Sequence, residues 1–295
     1  MRIQSHMHSV FKFFLILLFP LYGMGTQFLV LPVNAEELSL GSHPTFEGLN
    51  SFNPALYSAS TQHPDFSMSR GKWLGDVTLT HLGYAQVLGS KNILHISAKY
   101  TGLSDLEFRN AVPQDEATST FSSYGVAMKT GLSFQQGKQR FGVSISLISM
   151  GIYNEVSSGI GLDFGYALKL NKGFMFGGTI QNLGIMTPLL NGAPELPLRL
   201  SAGLSKKLTF NDYRNTLYGS AEWNQISEAV KLKLGNHFRW NQLAILCGFA
   251  SSENVVESSV GFGLNIHGAQ ISYAVQFGSQ NIGIPQTLSI QIRIP

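Results

Sequence analysis

The sequence predicts an all-β chain, a transmembrane antiparallel β-barrel of about fourteen strands. Three features point there: apolar residues that are spread out, alternation with a period of two along long segments, and connections that alternate between short and long. Only 13% of the 295 residues are charged, 44% are hydrophobic and 31 are glycine, against roughly 25% charged and about 7% glycine in an average soluble domain. That balance argues against a cytosolic enzyme with a charged surface. Twenty Phe and ten Tyr argue against long disorder, and a single cysteine argues against a disulfide scaffold. A mean hydropathy of +0.08 does not fit a bundle of membrane helices, each of which needs about twenty apolar residues in a row.

The chain opens on an expected leader. Arg2 and Lys12 form a basic start, an apolar stretch runs from Phe13 to about Leu31, and Val33-Asn34-Ala35 offers small or aliphatic residues before Glu36. Residues 1–35 therefore read as a signal peptide cleaved after Ala35, giving export and an outer-membrane location. The competing anchor helix is interrupted by Pro20, Gly23, Gly25 and Pro32. Loss of Arg2 and Lys12 leaves 18 basic against 17 acidic residues. This near balance removes the electrostatic motive for a nucleic-acid partner.

Residues 36–73 read as a periplasmic or luminal segment and residues 74–295 as the barrel. Within the barrel, alternation sends successive side chains to opposite faces of a strand. Ile160, Leu162, Phe164, Tyr166, Leu168 and Leu170 form one face of such a segment, with Gly161, Asp163, Gly165, Ala167 and Lys169 on the other. The same pattern marks 92–101, 120–134, 140–152, 157–170, 173–183, 197–208, 215–224, 229–240, 242–250, 257–266, 268–277 and 287–294. Two weaker segments, 74–81 and 82–88, precede them. Most are ten residues or longer, the length a tilted membrane strand needs.

The connections form two classes. Short ones fall at 89–91, 135–139, 171–172, Asn241 and His267, with 209–214 as the long exception. Longer ones fall at 102–119, 184–196, 225–228, 251–256 and 278–286. Outer-membrane barrels place short turns in the periplasm and long loops outside. The apolar face then meets outer-membrane lipid. Phe134, Phe174, Phe238 and Trp240 sit where the inner aromatic girdle belongs, and Tyr100, Trp223 and Phe277 where the outer one does. A soluble β-sandwich or lipocalin-like barrel alternates too, with shorter strands and more surface charge.

No catalytic, cofactor or metal signature appears. Gly159-Ile160-Gly161-Leu162-Asp163-Phe164-Gly165 imitates a dinucleotide fingerprint but lies inside an alternating strand with no helix after it. His43, His63, His81, His95, His237 and His267 lack ligand spacing. An enzyme is kept only as a remainder. Parity places Lys129, Arg199, Lys231 and Lys233 in the lumen with Asp163 and Glu222. Two readings stay open: a cationic pore favouring acidic hydrophobic ligands, or charge pairs packing a closed lumen while Lys169, Lys207, Arg239 and Arg293 lie at the periplasmic rim. Loop 184–196, with Ile185, Met186, Leu189 and Leu190, is either an exposed docking surface or a lid.

Five stretches carry a family resemblance. SSGIGLDFGYALKLNKGFMFGGTIQNLG (Ser157 to Gly184) with LPLRLSAGLS (Leu196 to Ser205) resembles the PorV/PorQ family of outer-membrane proteins, relatives of the FadL-type barrels. GFGLNIHGAQISYAVQF (Gly261 to Phe277) and TLSIQIRI (Thr287 to Ile294) are similar to the family's last two strands. Asn53-Pro54-Ala55 is similar to an element near the family's start. The resemblance implies a hatch that enters the lumen through Asn53, Pro54 and Ala55. It also implies a non-enzymatic role linked to type IX protein secretion, with secreted proteins and secretion-machinery subunits as partners. The FadL-like relationship implies the alternative, transport of a hydrophobic small molecule. The chain departs from the family in lacking the glycine-rich segment before Asn53 and in ending on Pro295 instead of an aromatic residue.

Overall fold

The computed structural model describes residues 25–89, 91–108, 119–190, 192–253, 255–280 and 282–293. Fourteen strands make the wall: β1 Asp65–Lys72, β2 Thr78–Leu88, β3 Asn92–Phe108, β4 Ser119–Gln136, β5 Gln139–Ile152, β6 Glu155–Lys169, β7 Phe174–Met186, β8 Arg199–Phe210, β9 Tyr213–Asn224, β10 Ala229–Trp240, β11 Leu243–Ser251, β12 Val256–Ile266, β13 Ala269–Gly278 and β14 Gln286–Arg293. Each pairs antiparallel with its neighbours in sequence, and β1 pairs with β14 from Asp65↔Arg293 to Lys72↔Gln286. Closure leaves no sheet edge, so the ladder satisfies the backbone where lipid could not.

Alternation decides the two faces. In β5, Val143, Ile145 and Leu147 point outward while Ser144, Ser146 and Ile148 are buried inside. In β14, Leu288, Ile290 and Ile292 point outward over luminal Thr287 and Ser289. Phe134, Phe174 and Trp240 stand exposed near the short-turn end, and Tyr100 and Phe277 near the long-loop end. Cys247 lies exposed on the outer face.

The barrel starts earlier than the sequence pattern suggests. β1 occupies Asp65–Lys72, inside the stretch expected to precede the barrel, and the weak segments 74–81 and 82–88 merge into β2. The reason is that β1 offers only Phe66 and Met68 as apolar outward residues, too few to stand out, although Ser67 and Ser69 opposite them are buried. The exception among the short turns disappears, because β8 and β9 extend to Phe210 and Tyr213. At His267 and Gly268 both φ values are positive, as a tight two-residue hairpin requires. Loop 102–119 also shrinks: β3 runs to Phe108 through a register shift between Leu103 and Leu106, and residues 109–118 lie outside the described residues.

A hatch fills the bore. Its helix α1, Ala35–Leu40, begins at Asn34, whose side-chain oxygen accepts from the Glu37 amide at 2.7 Å, and ends at Gly41 with φ 94°. The chain then crosses the lumen to Tyr57. Glycines of the wall make room for it: a Cβ on Gly142 would sit 2.1 Å from the Pro54 carbonyl carbon, and one on Gly177 would sit 2.3 Å from the Pro44 oxygen. The sequence places the end of the leader at Ala35. In the structure of the full chain the last part of that stretch, Gly25–Ala35, lies in the lumen, where Asn34 caps α1 and Phe28 is fully buried. Residues 1–24, which carry the rest of the expected leader, lie outside the described residues.

The lipid-facing parity makes a direct prediction. Leu147, 62% exposed near the middle of β5, meets hydrocarbon, so Leu147→Lys is expected to destabilise the barrel in lipid vesicles by about 2–4 kcal/mol. Denaturant titration would read this, and an unchanged midpoint would place Leu147 in water.

Candidate functional site: a plugged lumen

The outer seal is built first from apolar contacts. Phe28 packs among Ala127, Ile148, Met150, Met186 and Leu196, in space that Gly125 leaves open. Thr26 Oγ1 donates to the Glu195 carbonyl at 2.5 Å, and Lys99 Nζ donates to the Leu31 carbonyl at 2.5 Å. Segment 184–196 is divided between the lumen and the surface. Met186 and Leu196 turn inward against Phe28, whereas Ile185 and Leu190 remain 75% and 69% exposed.

Deeper in, the luminal charges form pairs. Lys129 meets Asp163 at 2.5 Å, and Asp163 Oδ1 also accepts the Asn182 amide at 2.8 Å, where β6 and β7 shift register. Arg199 and Lys233 converge on one Glu222 oxygen at 2.7 and 2.8 Å, with Phe52 of the hatch 4.6 Å from the Arg199 guanidinium carbon. Lys231 pairs with Glu257 at 3.0 Å. A further pair escaped the parity argument because one partner is on the hatch: Arg140 donates to Glu47 at 2.7 Å and to the Tyr57 carbonyl at 2.9 Å. These contacts tie hatch to wall.

Asn53, Pro54 and Ala55 sit against β4, β5 and β6. Asn53 caps its own turn by accepting from the Ala55 amide at 2.9 Å, and its Nδ2 donates to Pro44 and Tyr166 carbonyls at 2.8 and 3.1 Å. Ser133 Oγ donates to the Pro54 carbonyl at 2.5 Å. Gly142 and Gly165 supply the space. Tyr57 stacks on His95 with ring centroids 3.7 Å apart.

Three titratable hatch groups are strongly perturbed, among them the Tyr57 phenol, which burial pushes up. Burial lowers the His43 imidazole to about 3, helped by the Lys233 charge, so it is neutral where Nδ1 meets Ser220 Oγ at 2.8 Å. Burial raises the Glu36 carboxyl to about 7, against the opposing pull of Arg239 and of hydrogen bonds from Gln270 and Gln291. Gln291 Nε2 donates to it at 3.1 Å. Among the described residues, no three His, Cys, Asp or Glu side chains gather as a metal site.

Cavities flank the hatch on both sides. Toward the long loops, one of about 330 Å³ lies between Val30, Leu31 and Leu38 on one side and Phe249, Lys231 and Arg199 on the other. A small one of about 70 Å³ lies deeper, beside Phe52 and Lys99. Toward the short turns, spaces of about 390 and 660 Å³ open beneath Phe46 and Glu47. The three larger ones fall in the size range of small-molecule pockets.

Solved structures share this architecture. The toluene transporter TodX of Pseudomonas putida superposes with a TM-score of 0.64 at 11% identity, covering 88% of this chain and 98% of TodX. The chain has the fold of the FadL-like outer-membrane channels. A monoaromatic hydrocarbon channel, CymD, is similar with a TM-score of 0.62 at 12% identity, covering 89% of this chain and 97% of CymD. A deletion mutant of TodX reaches 0.60. No family model and no curated protein matches the sequence.

Two predictions follow from the charges. Glu222→Gln leaves Arg199 and Lys233 buried without their counter-charge, and breaking such a buried pair costs about 3–5 kcal/mol. A thermal midpoint unchanged from wild type would show that the triad is not held as described. For Glu36, the unfolded carboxyl loses its proton near 4.5 and the folded one near 7, so the folded form binds more protons between those values and stability falls as pH rises through them. Glu36→Gln is therefore expected to gain on wild type by an amount on the order of 3 kcal/mol from pH 4.5 to 7.5. A pH-independent difference between the two would contradict it.

Proposed function

We propose that this protein is a non-enzymatic outer-membrane channel for hydrophobic small molecules. The observation that carries the reading is a bore filled by its own hatch, with a cavity of about 330 Å³ beside the hatch on the long-loop side. Ile185, Leu190, Ile282 and Ile284 stand exposed on the long-loop rim, where apolar compounds gather more readily than ions. TodX, a toluene transporter, and CymD, a monoaromatic hydrocarbon channel, share the fold, which supports the class of cargo without naming the molecule.

Toluene entry into cells expressing the protein is expected to rise several-fold over empty-vector cells, while purified wild type in planar bilayers carries no steady ion current. Gly142→Val, which forces Pro54 off the wall, is expected to conduct ions. No increase in toluene entry would sink the reading.

The second reading, a component of type IX secretion, rests on the resemblance of Ser157–Gly184 and Gly261–Phe277 to the PorV/PorQ family. Affinity capture from outer membranes separates the two. Exported proteins or secretion subunits in the eluate favour this second reading, and the barrel alone with lipid favours the channel.

A further inference from the structure

The short-turn rim holds a group of cations that the charge pairing of the lumen does not absorb. Arg214 on β9 and Arg239 on β10 are directly opposite partners, and two residues along, Thr216 separates His237 on β10 from Lys207 on β8. All five lie on the luminal parity and line the cavity of about 390 Å³ beneath Phe46 and Tyr218. Elsewhere in the lumen, Lys129, Arg199, Lys231 and Lys233 each have a carboxylate within 3.0 Å. Among the described residues, Lys207, Arg214 and Arg239 have neither an ion pair nor a side-chain hydrogen bond.

The nearby carboxylates are engaged elsewhere. Glu47 is held by Arg140 and Lys169. Glu36 attracts Arg239 at longer range but is bonded to Gln270 and Gln291. Two buried donor positions, Arg239 Nε and His237 Nε2, have no partner. Like charges directly opposite one another destabilise a sheet, and such local conflicts concentrate where a ligand completes the site.

We propose that this cavity binds a small carboxylate carried on an aromatic or short aliphatic body. The paired guanidinium groups supply the flat, forked donors that a carboxylate accepts best. Phe46 and Tyr218, whose ring centroids are 6.3 Å apart, supply an apolar shelf for the body. The groups lie inside the wall, not on its lipid face, so the anion comes from solution and not from a lipid headgroup. The proposal does not rest on transport, since equilibrium binding to the purified barrel reports it.

The test is calorimetric titration of the full-length barrel in a neutral detergent with benzoate, with benzyl alcohol as the uncharged probe. Saturable benzoate binding is expected, at least tenfold tighter than benzyl alcohol and weakened at least tenfold in Arg214→Gln/Arg239→Gln. Removing the like-charge conflict should leave the double variant's thermal midpoint equal to or above that of wild type, a sign that residues with a purely structural role would not give. Should the double variant fail to fold, Lys207→Gln, at the rim of the cavity, is expected to weaken benzoate about threefold. Equal binding of the two probes, wild-type affinity in the variants, or displacement of benzoate by an equal concentration of inorganic phosphate overturns the proposal.

Discussion

Everything in this molecule depends on the closure of the wall by β1 and β14. In hydrocarbon each backbone amide and carbonyl must find its partner within the protein, and the eight-residue register from Asp65↔Arg293 to Lys72↔Gln286 completes that circuit. Once closed, alternation assigns the faces: most apolar residues take the lipid side and most Ser, Thr, Gly and charged residues take the lumen, where Ile148, Met150 and Leu246 are apolar exceptions that pack against the hatch. The low charge content and the mean hydropathy near zero are the average of these two opposed faces.

The lumen then poses its own problem, because the charges it receives cannot be left unpaired away from water. Lys129 with Asp163, and Arg199 and Lys233 with Glu222, solve it within the wall. Arg140 with Glu47 solves it between wall and hatch. Luminal glycines such as Gly142, Gly165 and Gly177 let the hatch backbone come close enough for Asn53 and Ser133 to bond it. Packing and pairing thus hold the hatch on several strands at once. The rim cations Lys207, Arg214 and Arg239 are the place where this internal pairing stops.

Much of the wall is legible in the sequence because membrane strands are long and their alternation repeats many times. β1 is the instructive exception: with only Phe66 and Met68 facing lipid, its period is too short to register. Arg214 is hidden for a related reason, since the alternation of β9 becomes clear only from Asn215 onward. The hatch is harder still. Phe28 and its neighbours read as leader because an apolar stretch after a basic start suits export, and nothing local reveals that Phe28 fits the space left by Gly125. Parity assigns Lys129, Asp163, Arg199, Glu222, Lys231 and Lys233 to the lumen, yet only the register between strands shows which of them meet. Glu47 and Glu36 act across the bore, a relation that no short-range pattern encodes.

The N-terminal segment is docked inside a closed barrel, and a disulfide trap between hatch and wall reports that docking. Asn50 of the hatch and Ser67 of β1 are bonded side chain to side chain at 2.7 Å, so cysteines at these two positions, in a Cys247→Ser background, should cross-link in outer membranes under mild oxidation. Near-complete cross-linking in the folded, heat-modifiable barrel is the predicted result. A folded barrel whose two cysteines stay free would contradict the docked hatch.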